Sequence, residues 1–192
     1  MILGSHNSWS FRTPKKLWMK TLAFTARCQR KTIKEQYEKY GVRCFDLRIR
    51  WFDCTPHVVH NDFDYGTFND IVSDIVYLNN QRNVWIRLIH DVRSAKDYTS
   101  QSVHLFKCFC EAMLDDFPNI TWWCGRNLYN WEKDYDFGLE PYCSEMYSSV
   151  CPPKIIDDWI PIAYAKLNNK KIRKAAESQK EGILLIDFVD IN

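Results

Sequence analysis

Two short apolar runs constrain this chain more than any other feature. Asn83–Ile89 (NVWIRLI) and Gly182–Val189 (GILLIDFV) are hydrophobic on both faces of an extended strand. Neither suits a sheet with one wet face; both need cover on two sides, which helices supply around a parallel sheet. Met1–Ser5 reads as the end of a strand, and Val42–Trp51, Thr55–His60 and Asn119–Cys124 as further strands. Between them lie helical stretches: Leu17–Tyr40, Thr67–Asn80, Ser100–Phe117 and Ile162–Gln179. Thr32-Ile-Lys-Glu35 has the form of a capping box, and Gly41 is a stop. In Ser100–Phe117 the residues Val103, Phe106, Cys110, Met113 and Leu114 share one side. Gly125–Ile160, rich in Tyr, Trp, Pro and acidic residues, reads as strand fragments and active-site loops. This alternation predicts an α/β fold with mostly parallel strands, either a β/α barrel or an open doubly wound sheet. The 192 residues suit one domain, 1–192, and a barrel of that size must have short or missing elements.

Composition narrows the function classes. Hydrophobic residues at 46% and charged residues at 26% are those of a globular chain. A net charge of +2 gives no basic tail or patch for nucleic acid. Trp9, Phe11, Trp18, Trp51 and Phe52 are candidates for an apolar rim, although most are expected in the core. The eight cysteines contain no CxxC pair, so reduced and mostly buried thiols are expected rather than a disulfide framework or a zinc knuckle. No apolar run has the length of a membrane span. Reduced cysteines, with no basic-then-apolar leader before the first motif, point to an intracellular, cytoplasmic setting.

Four polar clusters stand at the ends of predicted strands, where a parallel barrel collects its catalytic groups. They are His6 and Asn7 in GSHNS, Asp46 and Arg48 in CFDLR, His60 in VVHN, and Asp187 in the last strand. Asp46 and Arg48 are two apart and share one strand face, with Phe45, Leu47 and Ile49 on the other. Alone, that pair is equally a buried salt bridge. Two histidines on flanking strands tilt it toward function. Arg87 on its buried strand is a candidate phosphate or sugar contact, or equally a structural ion pair. Arg126 and Tyr147 are weaker substrate-binding candidates, since a loop position and packing account for them as well. His57 is read as a surface or supporting histidine, and His104, mid-helix, as structural.

These residues resemble, in order and separation, the X-domain motifs of the phosphatidylinositol-specific phospholipase C superfamily. The resemblance implies a distorted, incomplete TIM-type barrel and metal-independent phosphodiester cleavage. Metal-dependent members carry a Glu-x-Asp pair in the second strand; Asp46-x-Arg48 resembles the metal-independent type, in which a guanidinium does the calcium's electrostatic work. By resemblance His6 is the base, His60 the acid, and Asp187 orients His6. Asp46 orients Arg48, and Asn7 stands where relatives have an Asp that supports the acid histidine. The implied partner is a phosphodiester or phospholipid, with transient membrane-surface contact, no nucleic acid, no cofactor or metal, and a monomeric chain. Two alternatives stay open: a binding barrel that has lost turnover, and a metal-dependent glycerophosphodiester hydrolase, for which the Glu-x-Asp pair is absent.

Overall fold

The computed structural model describes residues 2–92, 99–124, 146–148, 160–177 and 183–191. Within them the chain runs β1 (Ile2–Ser5), α1 (Leu17–Leu22), α2 (Ile33–Tyr40), β2 (Cys44–Phe52), β3 (Thr55–His60), β4 (Phe63–Thr67), α3 (Val72–Asn79), β5 (Val84–His90), α4 (Ser100–Asp116), β6 (Ile120–Cys124), β7 (Met146–Ser148), α5 (Pro161–Glu177) and β8 (Ile183–Ile186). Six strands pair in parallel in the order β7-β8-β1-β2-β5-β6. Among the described residues β6 and β7 share no ladder, so the sheet is a curled, incomplete barrel. That is the distorted β/α barrel the resemblance implied, and one of the two forms that the alternation of apolar strands and helices left open.

Strand alternation divides the side chains into two layers. Phe45, Leu47 and Ile49 of β2, Val84, Ile86 and Leu88 of β5, and Leu184 and Ile186 of β8 face the outer core shared with the helices. Phe106, Cys110 and Met113 of α4 meet them there, with Val103 and Leu114 partly buried against the same cluster. The opposite parity faces the barrel interior. Cys44, Ile183 and Leu185 form a small inner core against Ile2 and Trp85. Both faces of β8 are therefore buried, as its sequence requires.

Three local expectations are corrected. Leu17–Tyr40 is not one helix. α1 stops at Leu22, a 3-10 turn covers Ala23–Thr25, and α2 begins at Ile33. Thr32 caps α2 by the reciprocal bonds its sequence promised, and Gly41 ends it at φ +69°. The cap marks a new helix start, which is incompatible with a continuous helix through it. Second, β3 is antiparallel to β2, and β4, absent from the sequence reading, pairs antiparallel with β3. Only Asp53 and Cys54 separate β2 from β3, a connection too short for a parallel crossover. Third, Asp187 lies one residue beyond β8 rather than inside it. Most of Gly125–Ile160, including Arg126, lies outside the described residues, and β7 with Tyr147 is described as backbone only.

Gly4 is needed for the close approach of β1 to its neighbours. A Cβ there would lie 2.5 Å from Leu185 Cδ2 and 3.2 Å from both the Cβ and the carbonyl oxygen of Cys44. Gly4→Val should therefore lower the free energy of unfolding by about 1–3 kcal/mol, measured by denaturant melts.

Candidate active site

Ladder register brings the polar residues to one level. Gly4 is paired with Cys44 and with Leu185, and Cys44 with Trp85. Two residues further along the same inward faces come His6, Asp46, Asp187 and Arg87. Four adjacent strands therefore place an apolar layer below and a charged layer above it, just past the ends of β1 and β8 and within β2 and β5.

Asp46 is the hub of that layer. It is 1% exposed and accepts from the Asn7 backbone N–H at 3.0 Å and from Arg48 Nε at 3.3 Å. Arg87 Nη1 stands 3.5 Å from its other oxygen. Arg87 thus turns to the buried carboxylate, the ion-pair alternative stated for it. Burial alone would raise the Asp46 carboxyl, but Arg48, Arg87 and His6 outweigh it and hold the group well below the usual carboxylate range. The His6 turn is latched to the same strand. Ser8 N–H donates to Asp46 O, and Asp46 N–H donates to Ser8 Oγ, which itself donates to Ser5 O.

The tautomer of His6 follows from its two partners. Asp187 Oδ1 lies 2.8 Å from Nδ1 and can only accept, so Nδ1 carries the proton. Arg48 Nη2 lies 2.8 Å from Nε2 and can only donate, so Nε2 presents its lone pair. A neutral ring held this way is ready to act as a base.

His60 arrives by a different route. The β3 hairpin folds back over β2 and returns its last residue to the site, with the two imidazole centroids 6.1 Å apart and nearly perpendicular. His60 Nδ1 donates to the Ala26 carbonyl at 2.8 Å, which leaves Nε2 for proton exchange. Burial, then Arg48 and His6, push His60 down to about 4. The Asn7 side chain does not reach this ring in the way expected. Its nitrogen stands 3.1 Å and 3.4 Å from the two ring nitrogens of His6 and 3.5 Å from Cys28 Sγ. The backbone at Asn7 is left-handed, φ +45°. Asn61 after His60 and Phe188 after Asp187 share that conformation, at φ +55° and +48°. All three strand-end residues are thus followed by a sharp left-handed turn.

A small cleft, partly open to solvent, is lined by Asn7, Asp46, Arg48, His60 and Tyr65 among others. Sequence reasoning missed two structural supports. Gln29, fully buried, donates to His6 O and Ile186 O and accepts from Val189 N–H, tying the ends of β1 and β8 together. Asn169 of α5 donates to Asp187 O. A buried amide in a segment read as helix carried no signal of either role. His57 pairs with Asp64 away from the site, and Asp91 pairs with Arg50 at 2.6 Å. His104 is exposed on α4. Of the aromatic candidates Trp9 is buried, Phe11 and Trp51 are half-buried, and Trp18 and Phe52 are exposed.

No family model matches the sequence, and no curated protein matches it significantly. The fold is similar to that of a phosphatidylinositol-specific phospholipase C from Listeria monocytogenes, with a TM-score of 0.60 and 14% identity, over 97% of this chain and 87% of that one. The chain therefore has a fold of the phosphatidylinositol-specific phospholipase C kind.

The two depressed histidines set the acid stability. Burial lowers His90, stacked on Phe106, to about 4, as it does His60. Between about pH 6.5 and 4 the unfolded chain binds protons that the folded chain refuses, so stability falls as pH falls through that window. Each histidine adds at most about 1.4 kcal/mol per pH unit to the slope. Urea melts from pH 7 to 4 should show this fall, with a shallower slope in His60→Gln.

Proposed function

We propose that this chain is a metal-independent phosphodiesterase that cleaves an inositol phospholipid or a related phosphodiester through a cyclic phosphate. The observation that carries the reading is the pairing of a tautomer-fixed His6 with a second imidazole 6.1 Å away, across a guanidinium. In this reading His6 Nε2 takes the proton from a substrate hydroxyl beside the phosphodiester. The freed oxygen attacks phosphorus, and the bond to the departing oxygen breaks. Protonated His60 gives that oxygen its proton. The products are a cyclic phosphodiester and an alcohol, and the protons balance through the two rings.

Arg48 takes the place of a metal in this scheme. Its fork binds two phosphoryl oxygens and keeps its charge at any working pH. Burial opposes that charge, but Asp46 and Asp91 outweigh burial and raise the group further. An arriving phosphate draws the guanidinium off His6 Nε2 and uncovers the lone pair. Burial is the larger cause of the His60 depression; the anion offsets the cationic part of it, from Arg48 and His6, and so favours the protonated acid when substrate is present. Asp187 stabilises the His6 imidazolium as it forms. Arg87 acts through Asp46. Arg126 and Tyr147 remain candidates for the substrate ring. A hard cation would need several free oxygen donors, and the oxygens of Asp46 are already engaged by cations and an N–H.

A lipid substrate fits one surface. Leu17, Trp18, Leu22 and Phe24 are 45–79% exposed on α1 and the turn after it. Lys15, Lys16 and Lys20 flank them, and the segment ends at Ala26, whose carbonyl holds His60. An apolar ridge rimmed with lysine suits an anionic bilayer surface. The second reading, a phosphodiester-binding barrel without turnover, draws on the Arg48 contact that covers the base and on the backbone carbonyl of Ala26, rather than a carboxylate, that holds His60 Nδ1.

A panel of phosphodiesters assayed in EDTA separates the readings. Turnover of a phosphatidylinositol with a cyclic product is expected, falling at least about 100-fold in His6→Ala and His60→Ala. Trp18→Ala should slow cleavage on vesicles and spare a soluble inositol phosphodiester. Binding without turnover supports the barrel reading, and loss of activity to chelator contradicts both.

A further inference from the structure

Cys28 is a buried thiol beside Asn7 and His60 that the proposed chemistry leaves unused. It is 1% exposed and follows the turn that carries Ala26. Its N–H donates to Ser10 Oγ at 3.0 Å, and its carbonyl accepts from Phe188 N–H at 2.6 Å. The thiol is thereby fixed between the His6 turn and the segment that follows β8. Its sulfur, a ring nitrogen of His6 and a carboxylate oxygen of Asp187 all lie within 4.8 Å of one another, and all three residues are buried.

A second feature points to the same spot. Asn7 is 4% exposed, and its Oδ1 is buried with no hydrogen-bond partner. The nitrogen of the same amide already lies 3.5 Å from Cys28 Sγ and against the His6 ring. A half-turn about the last side-chain bond exchanges the two atoms and aims that oxygen at the group. One imidazole, one thiolate, one carboxylate and an amide oxygen make a four-donor set.

We propose that His6, Cys28 and Asp187 form a binding site for a soft divalent cation such as Zn²⁺, and that its occupation switches the base off. Bond lengths of about 2.0–2.3 Å to N, O and S put tetrahedral donors roughly 3.3–3.8 Å apart. His6 Nδ1 and Asp187 Oδ1 stand 2.8 Å apart, so the pair need open by only about half an ångström on that scale. Thiolate with imidazole selects zinc-like ions over calcium or magnesium. Binding releases the Cys28 thiol proton to solvent. Whichever ring nitrogen takes the metal, the other keeps the proton of the neutral ring, and no lone pair remains for a substrate hydroxyl. The regulatory half of the inference rests on the proposed function; the binding half does not.

The test uses the full chain, reduced and stripped of metal, with no substrate present. Zn²⁺ is titrated by calorimetry, and Cd²⁺ by its thiolate charge-transfer absorption. One equivalent should bind at micromolar or lower concentration. Cys28→Ser should remove the charge-transfer band and weaken Zn²⁺ binding by roughly tenfold or more, about 1.4 kcal/mol. Cys108→Ser, which removes the exposed thiol 3.6 Å from His104, should leave both intact. If Cys28→Ser does not fold by circular dichroism, Asp187→Asn carries the same comparison. No Zn²⁺ binding, or binding undiminished in these variants, overturns the inference. Turnover in EDTA without metal binding would leave the proposed function standing and sink this site; metal binding without turnover would do the reverse.

Discussion

The arrangement depends on one buried anion. Asp46 sits at the C-terminal end of the barrel interior, and four groups converge on it: the Asn7 N–H, Arg48, Arg87 and, at 3.8 Å, the His6 ring. A carboxylate out of water is costly unless such partners surround it. Meeting that need fixes the geometry of the site. The His6 turn must close onto β2, and Arg48 must lie along the inner face rather than reach into solvent. The same carboxylate offsets part of the positive charge that a phosphate would meet, while the Arg48 side chain, 21% exposed, lines the cleft.

The rest of the fold supplies position. Parallel pairing of β8, β1, β2 and β5 puts His6, Asp46, Asp187 and Arg87 on one level without any long-range loop. The β3–β4 hairpin supplies the remaining imidazole. Gln29 and Asn169 pin the backbone on either side of the His6–Asp187 pair, so the hydrogen bond between those side chains is held by groups that do not titrate. The left-handed residues Asn7, Asn61 and Phe188 let each segment turn immediately after its polar residue. Asparagine adopts that conformation readily, whereas Phe188 does so at a cost of about 1–2 kcal/mol, offset here by its bond to the Cys28 carbonyl.

What could be read from the sequence was what local pattern encodes. Two-sided burial of β5 and β8, the cap at Thr32, the stop at Gly41 and the inward parity of Asp46 and Arg48 all follow from residue type and spacing. Strand direction does not. His60 was expected at the end of a parallel stave, yet it arrives on an antiparallel hairpin, because a two-residue connection decides pairing where apolar alternation is silent. The aim of the Asn7 amide was equally hidden, since no motif announces a side-chain torsion. Ala26 contributes only its carbonyl, and Cys28 stood among eight cysteines without a spacing to mark it.

The central claim is that one phosphorus-centred group fits between two imidazoles and a guanidinium. A crystal structure of the chain with bound vanadate and inositol, mimicking a five-coordinate phosphorus, tests it most directly. The account predicts vanadium-bound oxygens within hydrogen-bond distance of Arg48 and of Nε2 of both His6 and His60, with Arg48 moved off the His6 ring. Vanadate bound elsewhere, or touching one histidine while the other stays out of reach, would contradict it.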